Sequence, residues 1–185
     1  MRLVLEEISS PLGPILLASH AGGVCALDFA DCRERMEALL EARFGAVDFE
    51  PARAPSDAAR RVESYLAGQL DALDGVALDT QGTPFQERVW AALRAIPAGA
   101  TRSYGEIARA LGRPSASRAV GAANGRNPVA LAVPCHRVIG ADGSLTGYAG
   151  GVARKRWLLE HEALGAGGPR GGWLRTPAQS SSSSV

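Results

Sequence analysis

No apolar run in this 185-residue chain approaches the ~18–20 residues that cross a bilayer. A membrane-spanning protein is therefore not expected. The opening Met1-Arg2-Leu3-Val4-Leu5-Glu6-Glu7 meets acids at once, which a secretory signal does not do. A cytoplasmic location is the expectation. Cysteine is scarce, with three in the chain. An odd number cannot all pair internally, which argues against a disulfide-stapled scaffold and fits a reducing compartment. Candidate metal ligands are thin as well. His20, Cys25 and Cys32 lack an evident fourth partner for a structural zinc, so neither a metal nor a cofactor is expected.

Lysine is scarcer still. Lys155 is alone, and every other basic residue is Arg. A guanidinium matches phosphates and base edges in a planar fork, although an Arg-, Ala- and Gly-rich chain also follows from a biased genome. Acids thin out along the chain. Residues 1–83 carry 7 Arg against 14 acids, and residues 84–185 carry 12 Arg plus Lys155 against 5. The first part repels a polyanion and the second attracts one.

Residues 2–8, 14–19 and 24–29, broken by Ser9–Pro14 and by Gly22-Gly23, read as a three-stranded antiparallel meander. Helical spacing follows over 31–44, loop over 51–54, and a short helix over 58–67. This part shows no chemical constellation. Thr83-Pro84-Phe85-Gln86 and Ser103-Tyr104-Gly105-Glu106 are capping boxes that start helices. After Gly112-Arg113-Pro114 a further short helix spans 115–123, ended at Gly125, giving helix-turn-helix spacing that plain helical domains also use. The last helix spans 152–162. The expected class is α+β. A small N-terminal antiparallel sheet with flanking helices covers 1–79. A mostly helical domain containing a helix-turn-helix covers 80–164, and a disordered tail covers 165–185.

Within the second part, Val133-Pro134-Cys135-His136-Arg137-Val138-Ile139 sets a thiol directly before a base. A thiol of ordinary pKa ~8.5 is roughly 3% ionised at pH 7. Full ionisation by His136 gains at most about 30-fold, or ~2 kcal/mol. Taken alone, such a pair is more often a small core cysteine than a nucleophile.

The surrounding runs decide more. They are Phe85-Gln86 with Val89-Trp90, Ser103-Tyr104-Gly105, Ser117-Arg118-Ala119-Val120-Gly121, Asn127-Pro128, Pro134-Cys135-His136-Arg137, Gly147-Tyr148-Ala149-Gly150-Gly151, and Trp157-Leu158-Leu159 with His161-Glu162. In this order and spacing, residues 83–162 resemble the C-terminal catalytic domain of the O6-alkylguanine-DNA alkyltransferases, also called methylated-DNA–protein-cysteine methyltransferases. The Pro11-Leu12-Gly13 opening more weakly resembles the family's N-terminal domain.

The resemblance implies a DNA-repair protein that moves the alkyl group of O6-alkylguanine onto Cys135, with O4-alkylthymine left open as a second lesion. Its partner is double-stranded DNA gripped in the minor groove. The target base is flipped out, at a cost of a few kcal/mol. By resemblance, Arg118 fills the gap left by the base. Ala116, Ser117, Gly121 and Arg126 complete the DNA-facing set. His136 and Glu162 form a relay with Cys135 through a water. Tyr104 donates to the guanine ring, and Asn127 buttresses the turn around the cysteine. Tyr148 and the Ala149 N–H wall and bind the base. The Cys135 and Val138 carbonyls accept from its amine. Some relatives carry Ser where this chain has Ala149, which removes a side-chain contact but not the backbone donor. Some relatives hold a zinc that this chain's residues do not complete.

The product of such a transfer is a thioether, which thiol exchange does not reverse, so each monomer acts once. A lesion-binding module would not need the Cys135–His136–Glu162 set. A cysteine hydrolase would turn over repeatedly. Gly147 and Ala149 imply a site open to alkyl groups larger than methyl.

Overall fold

A computed structural model describes residues 1–169 and 171. Strands β1 (Arg2–Ile8), β2 (Ile15–His20) and β3 (Gly23–Phe29) form the expected meander. Val4 faces Ser19 and Ile8 faces Ile15 across the first pair, and Ile15 faces Phe29 across the second. In the first turn Gly13 has φ +96°, a conformation that favours glycine. Helix α1 (Arg33–Phe44) crosses one face.

The sheet departs from the expected all-antiparallel form. Residues Asp48–Pro51 make a fourth strand, β4, parallel to β1, with Arg2 beside Asp48 and Leu5 beside Pro51. The order is β3-β2-β1-β4, so the sheet is mixed. The cause is α1, which carries the chain back across the sheet so that the next strand runs the same way as β1. Leu3, Leu16, Ala18, Cys25, Met36 and Leu40 fill the space between them. Proline lacks an N–H, and an edge strand tolerates that loss.

Helix α2 (Asp57–Leu66) covers the other face, capped by Ser56 Oγ on the Ala59 N–H. Its buried Ala59, Val62 and Tyr65 join Ile15, Leu27 and Phe29 and, from the second part of the chain, Val89, Leu93 and Val133 in one continuous core. Each such aliphatic side chain, fully buried, contributes about 1.5–3 kcal/mol.

Helix α3 (Pro84–Arg94) starts with the expected capping box, Thr83 and Gln86 bonding each other's backbone. After β5 (Arg102–Ser103), Ser103 and Glu106 do the same at the start of α4 (Tyr104–Ala110). A turn through Gly112 leads to α5 (Ser117–Gly125), which packs on α4 as a helix-turn-helix. The short β6 (Val138–Ile139) pairs with β5, and α6 (Val152–Gly165) closes the chain. Helix α6 runs past the expected 152–162. Ala166, Gly167 and Gly168 donate to the Glu162, Leu164 and Ala163 carbonyls and so cap α6. The disorder expected at 170 and 172–185 lies outside the described residues.

The first and second parts also meet through main chain. Leu27 donates to the Pro128 carbonyl at 3.0 Å and accepts from the Ala130 N–H at 2.8 Å. This contact uses the free edge of β3 and fixes the segment that leads to Cys135.

Candidate active site

Residues 129–133 reach Cys135 through a tight turn in which Leu131 has φ +67°. That conformation is strained for a bulky side chain, by about 1–3 kcal/mol. Asn127 holds it in place. Its Nδ2 donates to the Val133 carbonyl at 2.7 Å and its Oδ1 accepts from the Val129 N–H at 3.0 Å. Cys135 then opens a single 3-10 turn, Cys135–Arg137.

Cys135 is 6% exposed and borders a cavity of about 340 Å³, within the size range of small-molecule sites. Tyr104, Asn127, Tyr148 and Ala149 border it too, with Gly121 and Asn124 of α5. A Cβ on Gly121 would lie 3.7 Å from the Tyr104 ring, in ordinary contact, so α5 runs beside that ring. Burial pushes the Tyr104 hydroxyl up, with the Thr146 side chain pulling the other way; it stays a protonated donor. Burial also pushes the Cys135 thiol up, against the pull of Asn127 and Lys155. At rest the sulfur is therefore protonated.

Behind the cysteine, His136 and Glu162 are fully buried. Nε2 of His136 lies 2.8 Å from Glu162 Oε1. A carboxylate only accepts, so Nε2 carries the proton and Nδ1 keeps a lone pair. Nδ1 is buried with no partner among the described residues. Burial lowers the pKa of His136 despite the pull of Glu162, so the imidazole is neutral. Burial alone would raise Glu162, but His136 and Arg137 outweigh it and hold the carboxyl well below the usual range. The chain thus places a buried imidazole next in sequence to the cysteine, and the carboxylate 2.8 Å from Nε2 fixes its tautomer.

Three contributors went unread in the sequence. Arg137 donates to Glu162 through Nε and NH2 at 2.8–3.1 Å. Tyr65 of α2 donates its hydroxyl to Glu162 Oε1 at 2.6 Å. Lys155 is fully buried, with Nζ on the Val138 and Thr146 carbonyls; burial lowers its pKa to about 8. The first part of the chain, which shows no constellation in sequence, also supplies Asp28 and Arg35 to the cavity wall. Arg35 pairs with Asp28 and donates to the Gly125 and Asn127 carbonyls at 2.8 and 3.0 Å. Only Arg137 had a local signal, its place beside His136.

The remaining candidates divide. Arg118 and Arg126 are exposed, and Ala116 and Ser117 are half-buried at the start of α5. Val138 is fully buried, and its carbonyl already receives Lys155. His20 pairs with Asp79, Cys25 donates to the Ala18 carbonyl, and Cys32 lies 3.5 Å from the Ala149 carbonyl. These three point to different partners. A larger cleft of about 590 Å³ beside Glu6, Phe49 and Glu63 has neither cysteine nor histidine in its lining.

Residues 3–80 match the family model described as 6-O-methylguanine DNA methyltransferase, ribonuclease-like domain, and residues 84–164 match the one described as its DNA binding domain. The chain belongs to the 6-O-methylguanine DNA methyltransferase family. It is 48% identical over 165 residues to the methylated-DNA–protein-cysteine methyltransferase of Salmonella typhimurium, spanning 88% of this chain and 96% of that one. With the Mycobacterium tuberculosis methyltransferase it shares 50% over 165 residues, 85% of this chain and 90% of that one. The fold is similar to the crystal structure of Mycobacterium tuberculosis OGT in complex with DNA, with a TM-score of 0.76 and 44% identity over 95% of this chain and 100% of that one. The O6-methylguanine-DNA methyltransferase of Pyrococcus kodakaraensis gives 0.70 and 30% over 86% and 98%. In this member of the methyltransferase family the cavity is bordered by Cys135, and the buried Glu162 carboxylate meets the neighbouring His136.

Proposed function

We propose that this protein repairs DNA by moving the alkyl group from O6 of guanine to Cys135, once per chain. One observation carries the reading: a cavity of about 340 Å³ bordered by the Cys135 thiol, followed in the chain by His136, whose Nε2 lies 2.8 Å from the buried Glu162 carboxylate.

In the reaction, Nδ1 of His136 takes the Cys135 proton through a bridging water, and Glu162 stabilises the imidazolium as it forms. The sulfur attacks the alkyl carbon in line. The S–C bond forms as the O6–C bond breaks, and the electron pair leaves with the guanine. Thiolate formation contributes about 30-fold at most, so in-line positioning and stabilisation of the leaving guanine anion supply the rest. Tyr104 donates to the guanine ring, and Lys155 adds positive charge near the sulfur. Asn127 keeps the cysteine turn in shape. Tyr148 and the Ala149 N–H wall and bind the base. The Cys135 and Val138 carbonyls receive its amine.

The DNA-facing surface is α5. Exposed Arg118 fills the gap left by the flipped base. Ala116, Ser117 and Gly121 permit close approach in the minor groove, and Arg126 contributes charge beside it. A monomer acting in the cytoplasm suffices for a one-shot reagent.

Intact-protein mass spectrometry with excess O6-methylguanine duplex DNA tests the reading. One added methyl, mapped to Cys135 and saturating at one per chain, supports it. Tight lesion binding without a mass change would point to a sensor, and repeated turnover to a hydrolase.

A further inference from the structure

Glu162 Oε1 is a crowded acceptor. It receives His136 Nε2 at 2.8 Å, Arg137 Nε and NH2 at 3.1 and 2.8 Å, and the Tyr65 hydroxyl at 2.6 Å. The tyrosine comes from α2, in the first part of the chain, and is fully buried. Its hydroxyl also lies 3.5 Å from His136 Nε2, too far for a good bond, and the proton on that nitrogen already goes to Glu162. The Tyr65 proton therefore belongs to the carboxylate.

We propose that Tyr65 is a positioning residue of the transfer reaction: by donating to Glu162 Oε1 it restrains the carboxylate's pull on His136 and so sets how readily the imidazole takes the Cys135 proton. This rests on the transfer reading above. A donor to a carboxylate stabilises its charge and weakens what it offers to other partners. Without the hydroxyl, Oε1 would press its charge on His136 and raise the basicity of the imidazole. Arg137, bound to both carboxylate oxygens, keeps Glu162 ionised in either case. The other titratable or charged groups around the relay are Lys155 of α6, Tyr148 of the cavity loop, and His161, whose ring meets Tyr65 edge-on. None of these reaches Oε1 by a hydrogen bond among the described contacts.

The test uses the full chain with two replacements: Tyr65→Phe, which keeps the ring, and site-specific 3-fluorotyrosine, whose hydroxyl is a stronger donor. Two pH profiles are recorded. One is the rate of Cys135 carboxamidomethylation by iodoacetamide, and the other is methyl transfer from O6-methylguanine duplex DNA. The phenylalanine variant should move the acid midpoint of the Cys135 profile up by about one pH unit, and the fluorinated variant should move it down. A purely structural tyrosine would change the melting temperature and leave the midpoints alone. Midpoints coincident with the unmodified protein in both variants overturn the proposal. Should the iodoacetamide midpoints move while no protein transfers methyl, the role of Tyr65 stands and the transfer reading fails.

Discussion

Arg137 clamps Glu162 from the end of the turn that the cysteine opens, its Nε within 3.1 Å of both carboxylate oxygens. The same guanidinium donates through NH1 to the Ile96 carbonyl. This arginine neutralises a carboxylate that is fully buried, and it leaves His136 free to stay uncharged.

Replacing Arg137 with Met should therefore destabilise the fold strongly. The carboxylate would remain buried with its main counter-charge gone, at about 3–5 kcal/mol. Urea unfolding at pH 7.5 measures this, and a loss below about 1 kcal/mol would mean that the pair is solvated.

Lys155 should make stability rise on the alkaline side. Its folded pKa is about 8 against an ordinary 10.5. Between those values the unfolded chain holds a proton that the folded chain has lost, so stability grows with pH and regains about 3 kcal/mol across the window. Melting curves from pH 7 to 10 should show the rise. Lys155→Met should flatten it, whatever its baseline. Alkyl transfer should slow above about pH 8, as the cation near Cys135 discharges.

On the acid side the slope keeps the same sign. His136 has a folded pKa below its ordinary 6.5, so below that pH the unfolded chain takes a proton the folded chain refuses. Stability should fall as pH drops, by up to about 1.4 kcal/mol per unit from this group. Glu162, held low in the fold, adds a further loss as pH falls below its ordinary 4.5. Urea midpoints at pH 7.5, 6 and 5 for the protein and for His136→Gln should converge as the pH falls.

Gly150 should not tolerate a side chain. A Cβ there would sit 2.6 Å from the Phe29 ring and 2.8 Å from the Tyr148 ring. Gly150→Ala should shift the cavity loop, lower stability by about 1–3 kcal/mol and slow methyl transfer roughly ten-fold through lost alignment. Equal single-turnover rates would show that the loop absorbs the methyl elsewhere.

The cavity should accept more than a methyl group. It measures about 340 Å³, and Gly147 leaves its wall low, with a Cβ there still 4.0 Å from the Tyr104 hydroxyl. Free O6-benzylguanine should therefore benzylate Cys135, read as one added benzyl group by mass spectrometry. Failure to react would place a barrier in the loop 140–151.

What the sequence made legible was local. Thr83 and Ser103 announce helix starts because a capping box closes within four residues, and the run around Cys135 carries its own spacing. What it hid was contact at a distance. Tyr65 looks like one more apolar position of α2, because its partner lies 97 residues on. Lys155 looks like a solvated lysine at the start of α6, since the carbonyls of Val138 and Thr146 that receive it are not written in its neighbourhood. Strand β4 is four residues long and ends in Pro51, with Phe49 alone turned inward; so short a run is defined only by its pairing with β1.

The bonds between Leu27 and the stretch Pro128–Ala130 run through backbone atoms alone. No side-chain exchange can cut them directly, so this seam holds even where an exchange weakens the shared core or the Tyr65 and Arg35 contacts. A proline at Leu27 or Ala130, which removes the N–H itself, is the kind of change that would unseam them.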